Sequence, residues 1–500
     1  MRGHTRRDLL RLAAAAGAGS MLAGPIARSA LAAETAEYDD GGDAVPPGAV
    51  GDPERVIILG AGWAGLTLAN ALRNAGVDHV LLEGRSRIGG RARTVDVAGV
   101  PVDLGCSWIH EPVGNPMTRF AEQAGVARDN ADIELDVAVI RAFDGFLDRE
   151  LTAAEKAAAF AHVVRFGEEA AGISAELGPG ASVRQGARVY LNRQGLHSDA
   201  RRHAEFLIHL VTEQSDNYEW ERISLDYWAN FESPYTGVGQ GEFPVGGYRP
   251  MVLAMAGDSR VRLRHRVDAI ERRPAGVTVR CTVTGDRPRR RVFKGSHVVV
   301  TVPLGVLKAG SIRFEPRLPR RKRRAIGRVG YGVFEKVAMV FDDAFWSDPA
   351  HTHMLFLSDH FPLELPLFVD LDRISGVPGL VATTAGRAGR RFRRLDREAR
   401  LELVLARMAE ILGRDVPRPV AWRATDWRAD RFSRGAYSTI PVGSSLADLD
   451  TLAEPVGGRV LFAGEATSRA RPGYSDGAMT SGIREAKRLL RRPAVTLSAG

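Results

Sequence analysis

Residues Val56 to Leu66 read VIILGAGWAGL: an apolar run ends at a glycine, and a helical pattern begins within three residues. Val56 to Leu59 suits a buried parallel strand, and Leu66, Ala69 and Leu72 recur at helical spacing before Gly76. Gly60 permits a turn, Gly62 lets a pyrophosphate approach the backbone, and Gly65 lets helix and strand pack closely. Trp63 and Ala64 open the helix, whose free N–H groups and positive dipole end would face phosphates. A second strand, HVLLEG at 79–84, ends in Glu83, eighteen residues after Gly65. A carboxylate there can accept both hydroxyls of an unphosphorylated ribose. The expected fold class is therefore α/β, with a doubly wound Rossmann-type domain that binds a dinucleotide.

The turn alone leaves NAD and FAD open. The continuation EGRSRIGGRART (83–94) brings Arg85, the Gly89-Gly90 pair and Arg91. A second glycine turn beside basic residues suits a longer, more enclosed dinucleotide than a nicotinamide enzyme usually holds.

The N-terminus reads differently. Arg6 and Arg7 precede an Ala-rich apolar stretch and a small-residue site at Ala30-Leu31-Ala32. That is the pattern of a twin-arginine export signal, expected over residues 1–32, with secreted or cell-envelope placement. Residues 33–52 are acidic and rich in Gly and Pro, and are expected to form a disordered linker. Residues 1–32 carry five arginines and one aspartate, so without them the net charge falls from +9 to about +5. The remaining basic clusters, 317–328 and 390–400, interleave Arg with Leu, Ala and Ile at helical spacing, as solvated helix faces do. No nucleic-acid partner is expected. No later apolar run reaches eighteen residues, so no stable membrane insertion is expected either. Cys106 and Cys281 cannot form a disulfide framework, neither is assigned a catalytic role, and no metal site is expected.

From about residue 54 to 490 the chain resembles the FAD-dependent flavin amine oxidases, polyamine oxidases most of all, and also monoamine oxidases and lysine-specific histone demethylases. DLGCSWIHEPVGNP (103–116) is similar to the flavin-contacting loop, usually D-L-G-A-S-W-[IL]-H-G followed by N-P. ISLDYW (223–228), VGGYRPMVLAMA (245–256), VRLRHRVDAIERR (261–273) and HVVVTVPLGVLK (297–308) follow in the family's order. So do VGYGVFEKVAMVFDDAFW (329–346), TDWRADRFSRGAYSTIPVG (425–443) and RVLFAGEATSRARPGYSDGAMTSGIREA (459–486).

The resemblance implies FAD as cofactor, and site roles for individual residues. Gly60, Gly62, Trp63, Ala64, Gly65, Glu83, Arg85, Gly90 and Arg91 would line the dinucleotide. Ser107 and Trp108 would contact the flavin, Val267 the adenine through its backbone, and Trp427 the flavin wall. Gly464 and Glu465 would lie at the ribityl or phosphate region, with Tyr474 and Ser475 beside the ring. Lys336 sits in an alternating stretch, Phe334, Lys336, Ala338, Val340, and an inward lysine is costly unless partnered. The family pattern gives it a water bridged to the flavin. Tyr437 and Tyr474 would form an aromatic cage that attracts an ammonium. His110 and Glu213 would line the substrate tunnel. Monoamine oxidases carry a flavin-linking cysteine where this chain has Ala436, so noncovalent FAD is expected. Asp476 stands where polyamine oxidases have the His of V-H-G-A.

The FAD domain is expected over 53–130, 240–328 and 425–490. A substrate domain of mixed sheet plus helices, over 131–239 and 329–424, would interleave with it. The expected activity is oxidation of a small amine, with O2 as acceptor and H2O2 as product. An L-amino-acid oxidase, a flavin-dependent desaturase of an apolar substrate and a basic binding protein are the alternatives. The amine's identity and the oligomeric state are not readable from the chain.

Overall fold

The computed structural model describes residues 4–5, 36–38, 53–131, 140–235, 241–346, 353–357, 365, 367–372 and 376–500. At its centre a five-stranded parallel sheet runs in the order Val261–Arg262, His79–Leu82, Val56–Leu59, His297–Val300, Val460–Phe462. Successive side chains of a strand face opposite sides, so a strand covered on both faces must be apolar throughout. Val56 and Ile58 join a core with the helices Trp63–Asn74 and Ser475–Leu490, while Ile57 and Leu59 join another core behind the sheet. All four are at most 1% exposed, and truncating one to Ala would cost about 2–5 kcal/mol.

The second face is where the outer layer departs from a helix-covered sheet. Behind it lies a four-stranded sheet: Arg289–Gly295, Gly276–Val283, His265–Arg273 and Arg313–Glu315. Its inward Ile270, Val277 and Val279 pack on Ile57, Val298 and Val300.

A seven-stranded mixed sheet forms the other half. Its order is Arg149–Glu150, Ile140–Asp144, His353–Leu357, Leu367–Asp370, Gly379–Ala385, Phe334–Val340, Ala421–Ala424. Every neighbouring pair is antiparallel except Ile140–Asp144 with His353–Leu357. Helices Ala153–Leu177, Val183–Arg193, Ser198–Asp216 and Leu225–Asn230 pack around Phe166, Tyr190, Trp220 and Trp228. Thr152 and Ser182 start the first two with reciprocal capping boxes to Glu155 and Gln185. A three-stranded sheet of Ile109–His110, Gly241–Pro244 and Arg128–Ala131 links the two halves.

The linker expected over 33–52 contains a strand: Ala36–Tyr38 pairs antiparallel with Val495–Leu497. Val495 and Leu497 are anchored in the central core, which leaves their strand an edge to pair with. Within 1–32, His4–Thr5 pairs with Glu232–Ser233. The rest of both segments, the twin arginines included, lies outside the described residues. Among the described residues no helix is long and apolar enough to cross a membrane.

Candidate active site

The glycine turn is built by close approach. Gly60 holds φ +107°, and a Cβ on Gly65 would lie 1.9 Å from the Gly60 carbonyl oxygen. Gly90 (φ +58°) folds back on this turn, where its Cβ would come within 3.3 Å of the Gly62 Cα. The Gly89 N–H donates to Ala61 O at 2.7 Å. Glu83 is buried beside both turns, accepting from the Ala61 N–H at 2.9 Å and the Arg85 N–H at 2.7 Å. Thr301, inside the HVVVTVPLGVLK segment but given no role by it, donates to Leu59 O at 2.8 Å and Gly60 O at 3.1 Å. The result is a bare-backbone cradle at the carboxyl ends of the strands, where the strand order reverses, the place such sheets hold dinucleotides.

Three residues expected to line the dinucleotide do not present their side chains to it. Trp63 packs edge-on against Phe120 and Tyr248, and Ala64 lies in the same core, against Gly482 of the last helix. Only their backbone belongs to the cradle. The Arg85 guanidinium turns instead to Asp430 Oδ2 at 2.9 Å and Ser433 Oγ at 2.8 Å, bracing the 430–433 turn. Val267 faces Cys281 across the strand pair, and its strand's parallel pairing with Arg313–Glu315 begins only at Ala269.

The cradle continues into a narrow cleft at the ends of the 297–300 and 460–462 strands, with Arg91, Thr301, Gly464 and Glu465 in its wall. Arg91 donates to Glu465 Oε1 at 2.9 Å and to Ala436 O at 2.5 Å. The other Glu465 oxygen accepts from the Gly473 N–H at 3.0 Å, the Ser438 N–H at 3.3 Å and the Ser438 hydroxyl. One ion pair thus ties three separate segments of the chain around the cleft.

Lys336 marks the opposite end of the site. It is 3% exposed, and its ammonium donates to Gly105 O at 2.8 Å and Ser107 Oγ at 2.5 Å, 4.9 Å from the Trp108 ring centroid. Burial pushes its pKa down to about 8, against the pull of Asp103. Asp103 is itself raised to about 6 by burial, although the Thr94 hydroxyl and Tyr248 N–H favour its ionised form. The Tyr248 hydroxyl donates to Trp108 O at 2.7 Å and lies 3.2 Å from Ser475 Oγ, joining the 103–110 loop to the start of the last helix. Trp427 lies beneath that loop, its indole N–H donating to Leu104 O at 3.2 Å. Its own N–H donates to Glu335, whose carboxyl is pushed up to about 7 by burial.

Tyr437 and Tyr474 are both partly exposed, and Gly473 lies against the Tyr437 ring. The Tyr437 hydroxyl donates to Gln214 O at 2.9 Å, and His110 meets Tyr474 edge-on with centroids 5.5 Å apart. Tyr474 thus meets His110 directly, and its neighbour Gly473 meets Tyr437. Glu213 does not line a tunnel. It is 4% exposed, accepts from the Trp220 N–H at 3.1 Å and lies 3.1 Å from His209 Nε2, with Gly386 against its other oxygen. The helix reaches the site one residue later, through the Gln214 carbonyl.

Known proteins match this arrangement over most of its length. The flavin containing amine oxidoreductase family matches residues 63–490, and the chain belongs to that family, with FAD as its cofactor. It is 35% identical over 458 residues to Lysine-specific histone demethylase 1 homolog 2 of Arabidopsis thaliana, covering 87% of this chain and 58% of that protein. It is 30% identical over 448 residues to Polyamine oxidase 2 of Arabidopsis thaliana, covering 86% and 87%. The fold is similar to that of wild-type putrescine oxidase bound to putrescine, with a TM-score of 0.71 at 21% identity over 88% of this chain and 99% of the other. The chain spans little more than half the length of the demethylase relatives it matches.

Proposed function

We propose that the chain is an exported amine oxidase that acts on a C–N bond of a small primary or secondary amine, a diamine or polyamine first. The observation that carries this is the buried Lys336 ammonium beside Trp108, whose ring leads through His110 to Tyr474, while Phe334 of the same strand meets Tyr437. When bound, FAD supplies the two-electron oxidation of the carbon beside nitrogen and passes the electrons to O2 as hydrogen peroxide. The tyrosine faces attract and orient the ammonium. Above about pH 8 the Lys336 amine is neutral and can take up a proton at Nζ. The walls at Trp108, His110 and Trp427 restrict water around the reacting amine.

The near full-length match to a polyamine oxidase, and the putrescine in a structure of similar fold, support a small amine. The demethylase names favour a second reading, a methylated lysine side chain on a peptide. An amino-acid oxidase would need a free arginine for the carboxylate, and Arg471, which lies against Tyr474, is already ion-paired to Glu111 and Asp476. Peroxide release across spermine, spermidine, putrescine, tyramine, L-amino acids and a methyllysine peptide tests these readings. Turnover of an L-amino acid alone would overturn the proposal.

Two further expectations belong to this reading. Ala436, at the linking position, offers no nucleophile, so acid precipitation should leave the flavin in the supernatant. Flavin retained on the denatured chain would refute noncovalent attachment. If residues 1–32 are a twin-arginine signal, Arg6→Lys with Arg7→Lys should hold FAD-loaded activity inside the cell. Undiminished activity outside the cell would remove the export reading.

A further inference from the structure

The strand Ile109–His110 and the Tyr474 turn are joined by a buried ion cluster to which the roles above assign nothing. Arg471 is 1% exposed. Its Nε donates to Asp476 Oδ2 at 2.7 Å, and its Nη1 donates to the Glu111 carboxylate and to Ser233 Oγ at 3.0 Å. Its Cζ lies 3.9 Å from the Tyr474 ring centroid and 5.2 Å from that of Tyr235. The Ser233 hydroxyl also donates to Glu111. Asn115 extends the link, donating from Nδ2 to His110 O at 2.8 Å and reaching Asp476 Oδ2 at 3.5 Å.

The backbone gives an independent sign. Glu111 holds φ +51°, a left-handed conformation that a side chain opposes and that persists only where the surroundings over-determine it. In the D-L-G-A-S-W-[IL]-H-G pattern this position is glycine. Asp476 likewise replaces the histidine of V-H-G-A. Two departures, far apart in sequence, meet on one arginine. Removing either acid would leave a buried guanidinium underpaired, so the three hold together as a unit.

We propose that Arg471, clamped by Glu111 and Asp476, is a positioning residue that sets the Tyr474 ring and its neighbour His110 for amine binding. The guanidinium lies over one face of the ring, and His110 meets the same ring edge-on. Two carboxylates on different nitrogens stop the guanidinium plane from turning, a constraint that a lysine, a point charge, could not meet. The proposal rests on the amine-oxidase reading of the site.

Anaerobic stopped-flow with putrescine or spermidine, on FAD-loaded wild type, Arg471→Leu, Arg471→Lys and Glu111→Gly, tests it. Photoreduction of the flavin serves as an amine-independent control. For Arg471→Leu the half-saturating amine concentration should rise, or the limiting reduction rate fall, by about 10–100-fold. Photoreduction should be unchanged, and Arg471→Lys should not restore the loss. Glu111→Gly suits the left-handed backbone, so it should fold even if Arg471→Leu does not, and should show the same defect in milder form. Wild-type amine kinetics in Glu111→Gly or in FAD-loaded Arg471→Leu, with only Tm changed, would overturn the proposal alone. Failure of every amine to bleach wild type would overturn the site reading and the proposal with it.

Discussion

Lys336→Met should slow amine oxidation by about 10²–10⁴-fold, the range of a positioned proton-transfer group, while FAD stays bound. Methionine keeps the length and an apolar stem on the strand face shared with Ala338 and Val340, beside Trp108. What is lost is the ammonium that bonds Gly105 O and Ser107 Oγ. Leaving those acceptors buried costs about 1–3 kcal/mol, offset by removal of a buried charge, so the fold should survive. The pH profile separates the chemical role from packing. The folded-state pKa of about 8 lies below the ordinary 10.5, so the unfolded chain binds more protons between these values and stability rises with pH across that window. Lys336→Met should flatten that rise. Wild-type flavin reduction should show an inflection near pH 8 that Lys336→Met lacks. Wild-type rates and an unchanged profile in Lys336→Met would leave Lys336 a structural residue.

Glu83→Ala should yield largely apo protein. Glu83 is 4% exposed and serves two N–H groups that shape the glycine turns, at Ala61 and Arg85. Charge-assisted hydrogen bonds of this kind are worth about 1.5–3 kcal/mol each, so losing both would loosen the two turns that the dinucleotide needs in place. Glu83→Gln has one accepting oxygen in place of two and should fall between. Absorbance of the purified proteins gives the occupancy, and full FAD in Glu83→Ala at sub-micromolar flavin would contradict the assignment.

What the sequence could show follows from where each signal lies. The glycine turn and its acid were legible because strand, turn and ribose carboxylate fall within about thirty residues. Lys336 was legible because strand alternation placed it with Ala338 and Val340, and the unbroken register of Phe334–Val340 puts those three on one face. Glu213 was misread because its partners Trp220, His209 and Gly386 come together only through tertiary packing. The partners of the Arg85 guanidinium were not legible for the same reason: Asp430 lies 345 residues away. Tyr248 and Asp103 sat inside quoted motifs, yet nothing local says that one hydroxyl joins Trp108 to Ser475. Arg471 had no signal except in its partners, since Glu111 and Asp476 acquire meaning only when the fold brings them together.

The most direct measurement is anaerobic mixing of the purified, FAD-loaded protein with single amines while the flavin absorbance band is followed. A diamine or polyamine should bleach the band within the mixing experiment, and air should restore it with release of about one peroxide per flavin. If dithionite bleaches the flavin but no amine does, the protein is not the amine oxidase its site describes.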